Sequence, residues 1–317
     1  MKEPTFDGLP NRDPEQNKDT VFFGPAKILD GKGAKNLMES MKSFRFPSGE
    51  NVIVGTDMGI NYKIDNPHNE DRVVVVPSAN FIAVVDGMGG MGHGELAAEI
   101  LAKNLLASPI SLDGAVVSAK KEMKENNVGN GGAVFISARI VEEQQQDRSV
   151  IKFLDVYQLG DAKLIIIKKD GAIIFESVDD SLIQELIVGG HLTPDQALHD
   201  KRRNVVLQAV SPNKDDQPKF YPNIKVEEGD IVLLMSDGIS DNITAEEIAE
   251  ERQKQNLTAK GLFTWISDTT NARMAQADEI IEKGRGQIKD IEGGLYSDQF
   301  KSKPKPDNRA LAIMEIK

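Results

Sequence analysis

Short runs of apolar residues, several of them ending at a glycine or a carboxylate, dominate the middle of the chain. The run at 81–85 is continuous, rich in β-branched residues and directly followed by Asp86, which predicts a strand buried on both faces. Two further runs at 163–168 and 173–176 flank Lys-Asp-Gly at 169–171, a strong hairpin signal. Runs of the same kind predict strands at 51–56, 72–77, 133–141, 152–159, 231–235 and 310–314.

Helical patterns come in groups between these runs. Apolar residues recur at helical spacing from 96 to 105, and helical segments are predicted again over 113–126 and 259–291. Capping boxes mark helix starts at Thr193 and Thr244. Because strands dominate the middle of the chain and helices are grouped, the pattern predicts an α+β fold in which helices pack on antiparallel sheets.

The patterns predict one domain over 51–317, since no solenoid repeat and no break in composition divides it. Residues 1–50 precede it as an N-terminal extension, whose start has the Pro, Asn, Asp and Gly content of a disordered arm. A polar segment at about 177–223, with a predicted helix over 181–188, interrupts the strands. It is either a flap beside a site or a surface excursion with no role.

Composition narrows the function classes. The chain has 38 Lys and Arg residues against 50 Asp and Glu residues, and its formal net charge of −12 argues against nucleic acid or an anionic membrane as a partner. It has no cysteine, so disulfides, thiolate zinc sites and a cysteine nucleophile are excluded. Its start lacks the apolar core of a signal peptide, and no run approaches the ~18 apolar residues of a membrane span. We therefore expect a cytoplasmic protein, and a monomer.

Carboxylates recur at the ends of the predicted strands. Asp86, Asp161, Asp237 and Asp307 each stand next to an apolar run. An Asp-Gly pair at a strand end is by itself more often a turn than a site, but its recurrence at four strands indicates a shared oxygen-ligand site. Oxygen ligands in a chain with no cysteine and 4 histidines favour Mg²⁺ or Mn²⁺ over zinc or copper.

A carboxylate site of this kind has a characteristic chemistry. The two oxygens of Asp86 are able to bridge two ions, and Gly87, which lacks a side chain, offers its carbonyl. Two ions about 3.5–4 Å apart activate a water and neutralise the oxygens of a phosphate under in-line attack. This reaction needs no nucleophile from the protein, in keeping with the missing cysteine.

Several motifs, taken in order, resemble those of the metal-dependent protein phosphatases, the PPM or type 2C family, in the form common in its bacterial members. Asn-Glu-Asp at 69–71 resembles the first acidic motif. Asp-Gly-Met-Gly-Gly at 86–90, followed by Gly-Glu at 94–95, resembles the central metal motif. The resemblance covers roughly residues 51–317. The other matching segments are Leu-Gly-Asp at 159–161, the flap region from 180 to 206, 229–238 and 307–308.

The resemblance implies both a function and a fold. Members hydrolyse phosphoserine and phosphothreonine in proteins through a water activated by a binuclear Mn²⁺ or Mg²⁺ centre. Their fold is a central antiparallel β-sandwich flanked by helical layers, a four-layer αββα arrangement. By the same resemblance Asp86 bridges the two tightly bound metals and Gly87 binds one of them through its carbonyl. Asp237 and Asp307 complete the other.

The remaining acidic residues of the motifs have supporting roles by the same resemblance. Glu70 and Asp71 hold metal-bound waters, so Glu70 counts both as a catalytic residue and as a metal-site residue. Asp161 joins Asp237 at a weaker third metal site. An acidic pair such as Glu70 and Asp71, taken alone, would more often be part of a solvated loop.

The chain departs from the family pattern where phosphate and protons are handled. Many members have an arginine where Asn66 stands, some have a histidine where Met88 stands, and Asp-Asp-Ser at 179–181 replaces a flap sequence that often reads Asp-His-Ser. His68 is the histidine nearest to the predicted metals, so either it or a metal-bound water protonates the leaving group. Lys63 is the candidate cation for the phosphate, although a solvated lysine fits its position equally well.

Two functions from different classes follow from these motifs. The first is a Mn²⁺- or Mg²⁺-dependent phosphatase acting on phosphoproteins. The second is a non-catalytic family member that binds metal or a partner and uses the flap for interaction. A degraded enzyme usually loses a core aspartate, and Asp86, Asp237 and Asp307 are all present, which favours the enzyme.

Overall fold

The fold is built on two antiparallel sheets of six strands each. It is seen in a computed structural model that describes residues 26–59, 68–89, 93–197, 200, 202, 205–284 and 307–317. The first sheet has the spatial order β1 (Lys27–Leu29), β4 (Arg72–Val76), β5 (Phe81–Met88), β6 (Gly132–Gln144), β7 (Val150–Leu159), β10 (Lys219–Val226). The second has the order β2 (Lys42–Arg45), β3 (Asn51–Asp57), β12 (Arg309–Glu315), β11 (Ile231–Met235), β8 (Lys163–Ile167), β9 (Ile173–Glu176).

Helices cover the outer faces of the two sheets and form part of the flap. They are α1 (Leu37–Ser40), α2 (His93–Ala107), α3 (Leu112–Glu125), α4 (Leu182–Val188), α5 (Pro194–Ala197), α6 (Asp237–Ser240), α7 (Ala245–Gln255) and α8 (Ala259–Gly284). Within the described ranges, none of these helices has the length and apolar character needed to cross a membrane.

Strand alternation sorts the apolar side chains into three core layers. In β5, Ile82 and Val84 pack between the sheets, whereas Phe81, Ala83 and Val85 pack against α2 and α3. The outer face of the second sheet packs against α1, α6, α7 and α8 in the same way. The predicted α+β class, an antiparallel β-sandwich flanked by helical layers, is confirmed.

The sequence patterns missed three strands and two short helices, α1 and α6. β1, β2 and α1 precede residue 51, so part of the predicted N-terminal extension contributes a strand to each sheet. β10 begins before residue 223, so the last residues assigned to the flap insertion pair with β7. These strands are short or rich in polar residues and lie at sheet edges, where an apolar pattern is weak. The start of the extension, residues 1–25, lies outside the described residues.

The capping box at the start of α7 yields a stability prediction. Thr244 Oγ1 accepts a hydrogen bond from the Glu247 backbone N–H at 3.2 Å, and Glu247 Oε2 accepts one from the Thr244 N–H at 3.0 Å. We expect Thr244→Ala to lower the free energy of unfolding by about 1 kcal/mol in urea denaturation, because one helix N–H loses its acceptor. Thr244→Ser keeps the hydroxyl and should lose little. Equal losses in both variants would contradict capping as the cause.

Candidate metal centre

The acidic residues singled out by the motifs come together at one end of the sandwich. In the first sheet β4 starts there and β5 ends there, as the pairing of Arg72 with Val85 shows. In the second sheet β11 ends and β12 starts at the same end, with Met235 opposite Leu311. Antiparallel pairing therefore places residues far apart in sequence around a single cleft.

Asp86 is the centre of this group. Burial raises its pKa well above the usual range, and the charges of Asp71, Asp237, Asp307 and Asp161 raise it further, in that order. These effects indicate that the other four carboxylates lie near Asp86. Asp86 lies two and four residues after Val84 and Ile82 in β5, so its side chain points to the same face as theirs, the face that meets the second sheet.

Asp71 is held across the two sheets by a serine. The Ser236 hydroxyl, at the end of β11, donates a 2.6 Å hydrogen bond to Asp71 Oδ2 and accepts one of 2.9 Å from the Ala310 N–H. Burial raises the pKa of Asp71 well above its usual value, the Ser236 hydrogen bond opposes this, and Asp307 and Asp237 add to the rise. Ser236 thus links the first acidic motif to β11 and β12.

Glu70 is positioned by Asn308, which lies in the last motif segment but was assigned no role from the sequence. The Glu70 N–H donates to Asn308 Oδ1 at 2.9 Å. The Asn308 side-chain amide donates to the carbonyls of His68 at 3.1 Å and Met58 at 3.2 Å. Burial raises the pKa of Glu70, and the charge of Asp307 adds to the effect. Ser236 and Asn308 lie in the motif segments 229–238 and 307–308, where the sequence assigned roles only to the carboxylates beside them.

Two glycines of the central motif let backbone and carboxylate approach closely. A Cβ added to Gly87 would lie 2.2 Å from the Gly94 carbonyl oxygen, and one added to Gly94 would lie 2.6 Å from Glu70 Oε2. No side chain fits at Gly87, and a side chain at Gly94 would displace the Glu70 carboxylate, so the first turn of α2 packs closely against the end of β5 and against Glu70. The role of the Gly87 carbonyl as a metal ligand stays a prediction.

Asp161 is tied to the base of the flap. It follows Gly160, which has a φ of +99°, and the Gly160 N–H donates to Asp180 Oδ2 at 3.0 Å. The second oxygen of the buried Asp180 lies 2.5 Å from Lys219 Nζ. Where the family's flap often has a histidine, this chain therefore has a buried carboxylate that joins the flap, β10 and the turn that carries Asp161.

His68 is exposed and lies on the side of α2. Its Nδ1 is 2.8 Å from Glu95 Oε2, and the buried guanidinium of Arg72 approaches Glu95 Oε1 at 3.4 Å. Arg72 also donates to the carbonyl of Asp71 at 2.9 Å, so its side chain is directed away from the carboxylate cluster, as strand alternation requires. Lys63 and Asn66 lie outside the described residues.

The donor set fits a hard divalent cation. Every side chain of the cluster offers oxygen, and Asp71, Asp86, Asp161, Asp237 and Asp307 concentrate negative charge that a cation would neutralise. Across the described ranges no three acidic or histidine side chains form a ready-made metal-ligand group. The cluster therefore has the right chemistry for Mg²⁺ or Mn²⁺, without a finished coordination geometry.

The fold agrees with what the motif resemblance implies, an αββα sandwich, and carboxylates from both sheets lie at one end of it. No family model matches the chain. The serine/threonine protein phosphatase PstP of Mycobacterium tuberculosis is 27% identical over 270 residues, which cover 79% of this chain and 50% of PstP. The protein phosphatase PhpP of Streptococcus pneumoniae is 26% identical over 208 residues, which cover 62% of this chain and 81% of PhpP. The chain thus spans about half the length of PstP.

Solved structures show the same fold. The serine/threonine phosphatase of S. agalactiae matches with a TM-score of 0.60 and 19% identity, over 84% of this chain and 100% of that one. The catalytic domain of PstP, solved in complex with two manganese ions, matches with a TM-score of 0.56 and 18% identity, over 84% of this chain and 97% of that one. In sequence and in fold the chain resembles bacterial protein phosphatases of the PPM, or type 2C, family.

Proposed function

We propose that this protein is a metal-dependent phosphatase that removes phosphate from phosphoserine and phosphothreonine in proteins. The observation that carries the proposal is the meeting of Asp71, Asp86, Asp161, Asp237 and Asp307 at one end of the sandwich, where both sheets contribute. The names of PstP and PhpP support it, because those relatives are a serine/threonine protein phosphatase and a protein phosphatase.

The metal-site assignment is part of the proposal. Asp86 would bridge two ions, the Gly87 carbonyl would complete one site, and Asp237 and Asp307 the other, while Asp161 would serve a weaker third ion. Two Mn²⁺ or Mg²⁺ ions, when bound, supply a nucleophile at neutral pH and neutralise the phosphate oxygens. The metal used, a cytoplasmic location and a monomeric state remain predictions.

The chain's own residues orient this centre. Ser236 fixes Asp71, and Asn308 fixes the backbone of Glu70, so both carboxylates are held toward Asp307 by groups from the opposite sheet. Such outer hydrogen bonds keep acidic side chains aimed at a common point despite their repulsion. Lys63 remains the proposed cation for the phosphate.

Metal-dependent hydrolysis of p-nitrophenyl phosphate tests the proposal most directly. We expect turnover with Mn²⁺ that EDTA abolishes and that added Mn²⁺ restores, because the proposed nucleophile is a water that the metal ions would activate. Circular dichroism in EDTA serves as the control that the protein stays folded. A folded protein without turnover would reject the enzyme and leave the non-catalytic family member.

A second prediction concerns the proton given to the leaving group. Glu95 holds the His68 ring at 2.8 Å beside Glu70, so we propose His68 as the general acid. His68→Ala should then lower turnover at least roughly tenfold on a phosphoserine peptide, whose alkoxide needs a proton. Turnover of p-nitrophenyl phosphate, a good leaving group, should change little. Equal losses on both substrates would reject this role.

A further inference from the structure

A cavity of about 350 Å³ lies beside the proposed metal centre, under the flap. Its floor is the outer face of the second sheet, with Ile165 of β8 and Met235 of β11, and its walls come from α4 and from the α6–α7 corner. Met235 is two residues before Asp237, and the lining residue Lys163 is two residues after Asp161. The cavity therefore lies close in the chain to two of the residues that would hold the metals, Asp161 and Asp237.

The lining is apolar in its body and acidic in its polar groups. Ile165, Ile183, Ile187, Met235 and Ile243 supply apolar surface. The charged side chains that join them are four carboxylates and one lysine: Glu176, Asp179, Asp241, Glu246 and Lys163.

The single lysine of the lining is already paired. Lys163 Nζ lies 3.0 Å from Glu176 Oε1 and 3.5 Å from Asp179 Oδ2. Lys163 is thus a fixed cation that neutralises part of the acidic lining and has little capacity for an anionic ligand.

Two acidic groups keep acceptor capacity. Asp179 Oδ1 is buried and has no hydrogen-bond partner among the described residues. A buried oxygen without a donor is unfavourable, so a ligand that supplies an N–H group would be favoured there. Glu246 is exposed at the start of α7, and no ion pair joins it to the described part of the chain. A ligand suited to this cavity brings donors and positive charge on an apolar stem.

We propose that the cavity is a substrate subsite that takes an arginine or lysine side chain of the phosphoprotein. Both side chains combine an apolar stem with a charged head, and carboxylates bind that head through charge-assisted hydrogen bonds. The inference rests on the proposed phosphatase function, and it assigns the flap side of the cleft to the choice of substrate.

A positional scan of phosphothreonine peptides tests the subsite. At each position flanking the phosphothreonine, arginine is compared with norleucine, and kcat/KM is measured with Mn²⁺. We expect one position at which arginine raises kcat/KM about tenfold, mainly through KM, as one charge-assisted hydrogen bond would. If no position shows this preference in a protein that hydrolyses p-nitrophenyl phosphate, the subsite proposal alone is overturned. Absence of turnover on every substrate would overturn the proposed function as well.

Substitutions of cavity residues test whether the preference for arginine arises in the cavity. Glu246→Gln and Asp179→Asn should each reduce the arginine-to-norleucine ratio at that position several-fold. Glu246 is exposed, so its variant tests the idea even where Asp179→Asn fails to fold. The matched control is Glu228→Gln, which removes an exposed carboxylate before the opposite end of β11 and should leave the ratio unchanged. A ratio unchanged in both cavity variants would overturn the proposal.

A free guanidinium compound would fit the cavity by the same interactions as an arginine side chain. Agmatine has that head on an apolar stem and serves as the probe. Competition by agmatine against the arginine peptide, with the norleucine peptide unaffected, is the expected result. A change in p-nitrophenyl phosphate turnover by agmatine, with no arginine preference among the peptides, would overturn the substrate assignment in favour of an effector site.

Discussion

Asp86→Asn is expected to abolish metal-dependent hydrolysis, with a loss of at least roughly a hundredfold. Asp86 is the carboxylate that faces Asp71, Asp237, Asp307 and Asp161 together. An amide has one oxygen for coordination and no charge, so a bridge between two ions would be lost. Because metal ions contribute several kcal/mol of transition-state stabilisation, removing their shared ligand should remove most of the catalysis. Titration calorimetry with Mn²⁺ should show weaker binding at both tight sites.

Asp161→Ala is the matched comparison for Asp86→Asn. Of the four carboxylates that raise the pKa of Asp86, Asp161 has the smallest effect. It is the residue proposed to bind the weaker third ion. Its loss should lower turnover while both tight Mn²⁺ sites remain in the calorimetry. Wild-type affinity at both sites in Asp86→Asn would show that the bridge is assigned to the wrong residue.

The Asp86→Asn substitution is also expected to stabilise the metal-free protein, or at least not to destabilise it. The charges around Asp86 repel it, and burial further disfavours its ionised form. An uncharged Asn of the same shape removes this repulsion, so metal-free Asp86→Asn should unfold at a temperature equal to or higher than that of the wild type. A site that destabilises the folded protein until it binds its ligand is a common arrangement at functional centres. A lower melting temperature in EDTA would contradict the charge cluster.

The second large effect is expected from Arg309→Met, which should lower the free energy of unfolding by about 3–5 kcal/mol. Arg309 is fully buried. Its guanidinium lies 2.5 Å and 3.1 Å from the two carboxylate oxygens of Asp57, and Nη1 donates to Thr270 Oγ1 at 2.8 Å. Methionine fills the space but leaves the buried Asp57 charge without its partner. Chemical denaturation of the metal-free protein measures the loss.

A double variant separates the charge from the packing. Burial raises the pKa of Asp57 and Arg309 opposes that rise, so the pair is costly when only one member remains. Arg309→Met combined with Asp57→Leu removes both charges and should recover much of the lost stability, because replacing a buried ion pair by apolar side chains is often close to neutral. A double variant as unstable as the sum of the two single variants would contradict this explanation.

The Arg309 pair also bears on the metal centre. Gly59, whose N–H donates to Asp57 Oδ1 at 2.6 Å, lies so close to Asp307 that a Cβ added to it would be 1.9 Å from the Asp307 carbonyl oxygen. Asp57 and Arg309 therefore hold the chain next to Asp307 in place. We expect Arg309→Met to weaken Mn²⁺ binding as well as the fold.

Local sequence patterns predicted much of the architecture. Continuous apolar runs such as 81–85 and 231–235 became central strands, because residues buried on both faces are apolar at every position. The capping box at Thr244 began a helix as predicted. β1, β2 and β10 were missed because edge strands bury little surface and form only where a neighbour offers hydrogen bonds.

The site was readable in part. The carboxylates at strand ends were found because their chemistry is unusual next to apolar runs. The hydrogen bonds that hold this region in place were not predicted, since those of Ser236, Asn308 and Asp180 span 165, 238 and 20 residues of sequence respectively. Such contacts depend on strand register, which no local pattern specifies.

By itself the sequence determined the class of fold and the kind of ligand. Apolar periodicity dictates which segments become strands and helices, and oxygen donors without cysteine limit the metal. Only the tertiary structure decided which side chains share one space. The pairing of the strands put carboxylates from both sheets at one end, left Arg309 to neutralise Asp57, and enclosed an acidic cavity beneath the flap. Those features depend on contacts between residues that are remote in sequence, and such contacts form only when the chain folds.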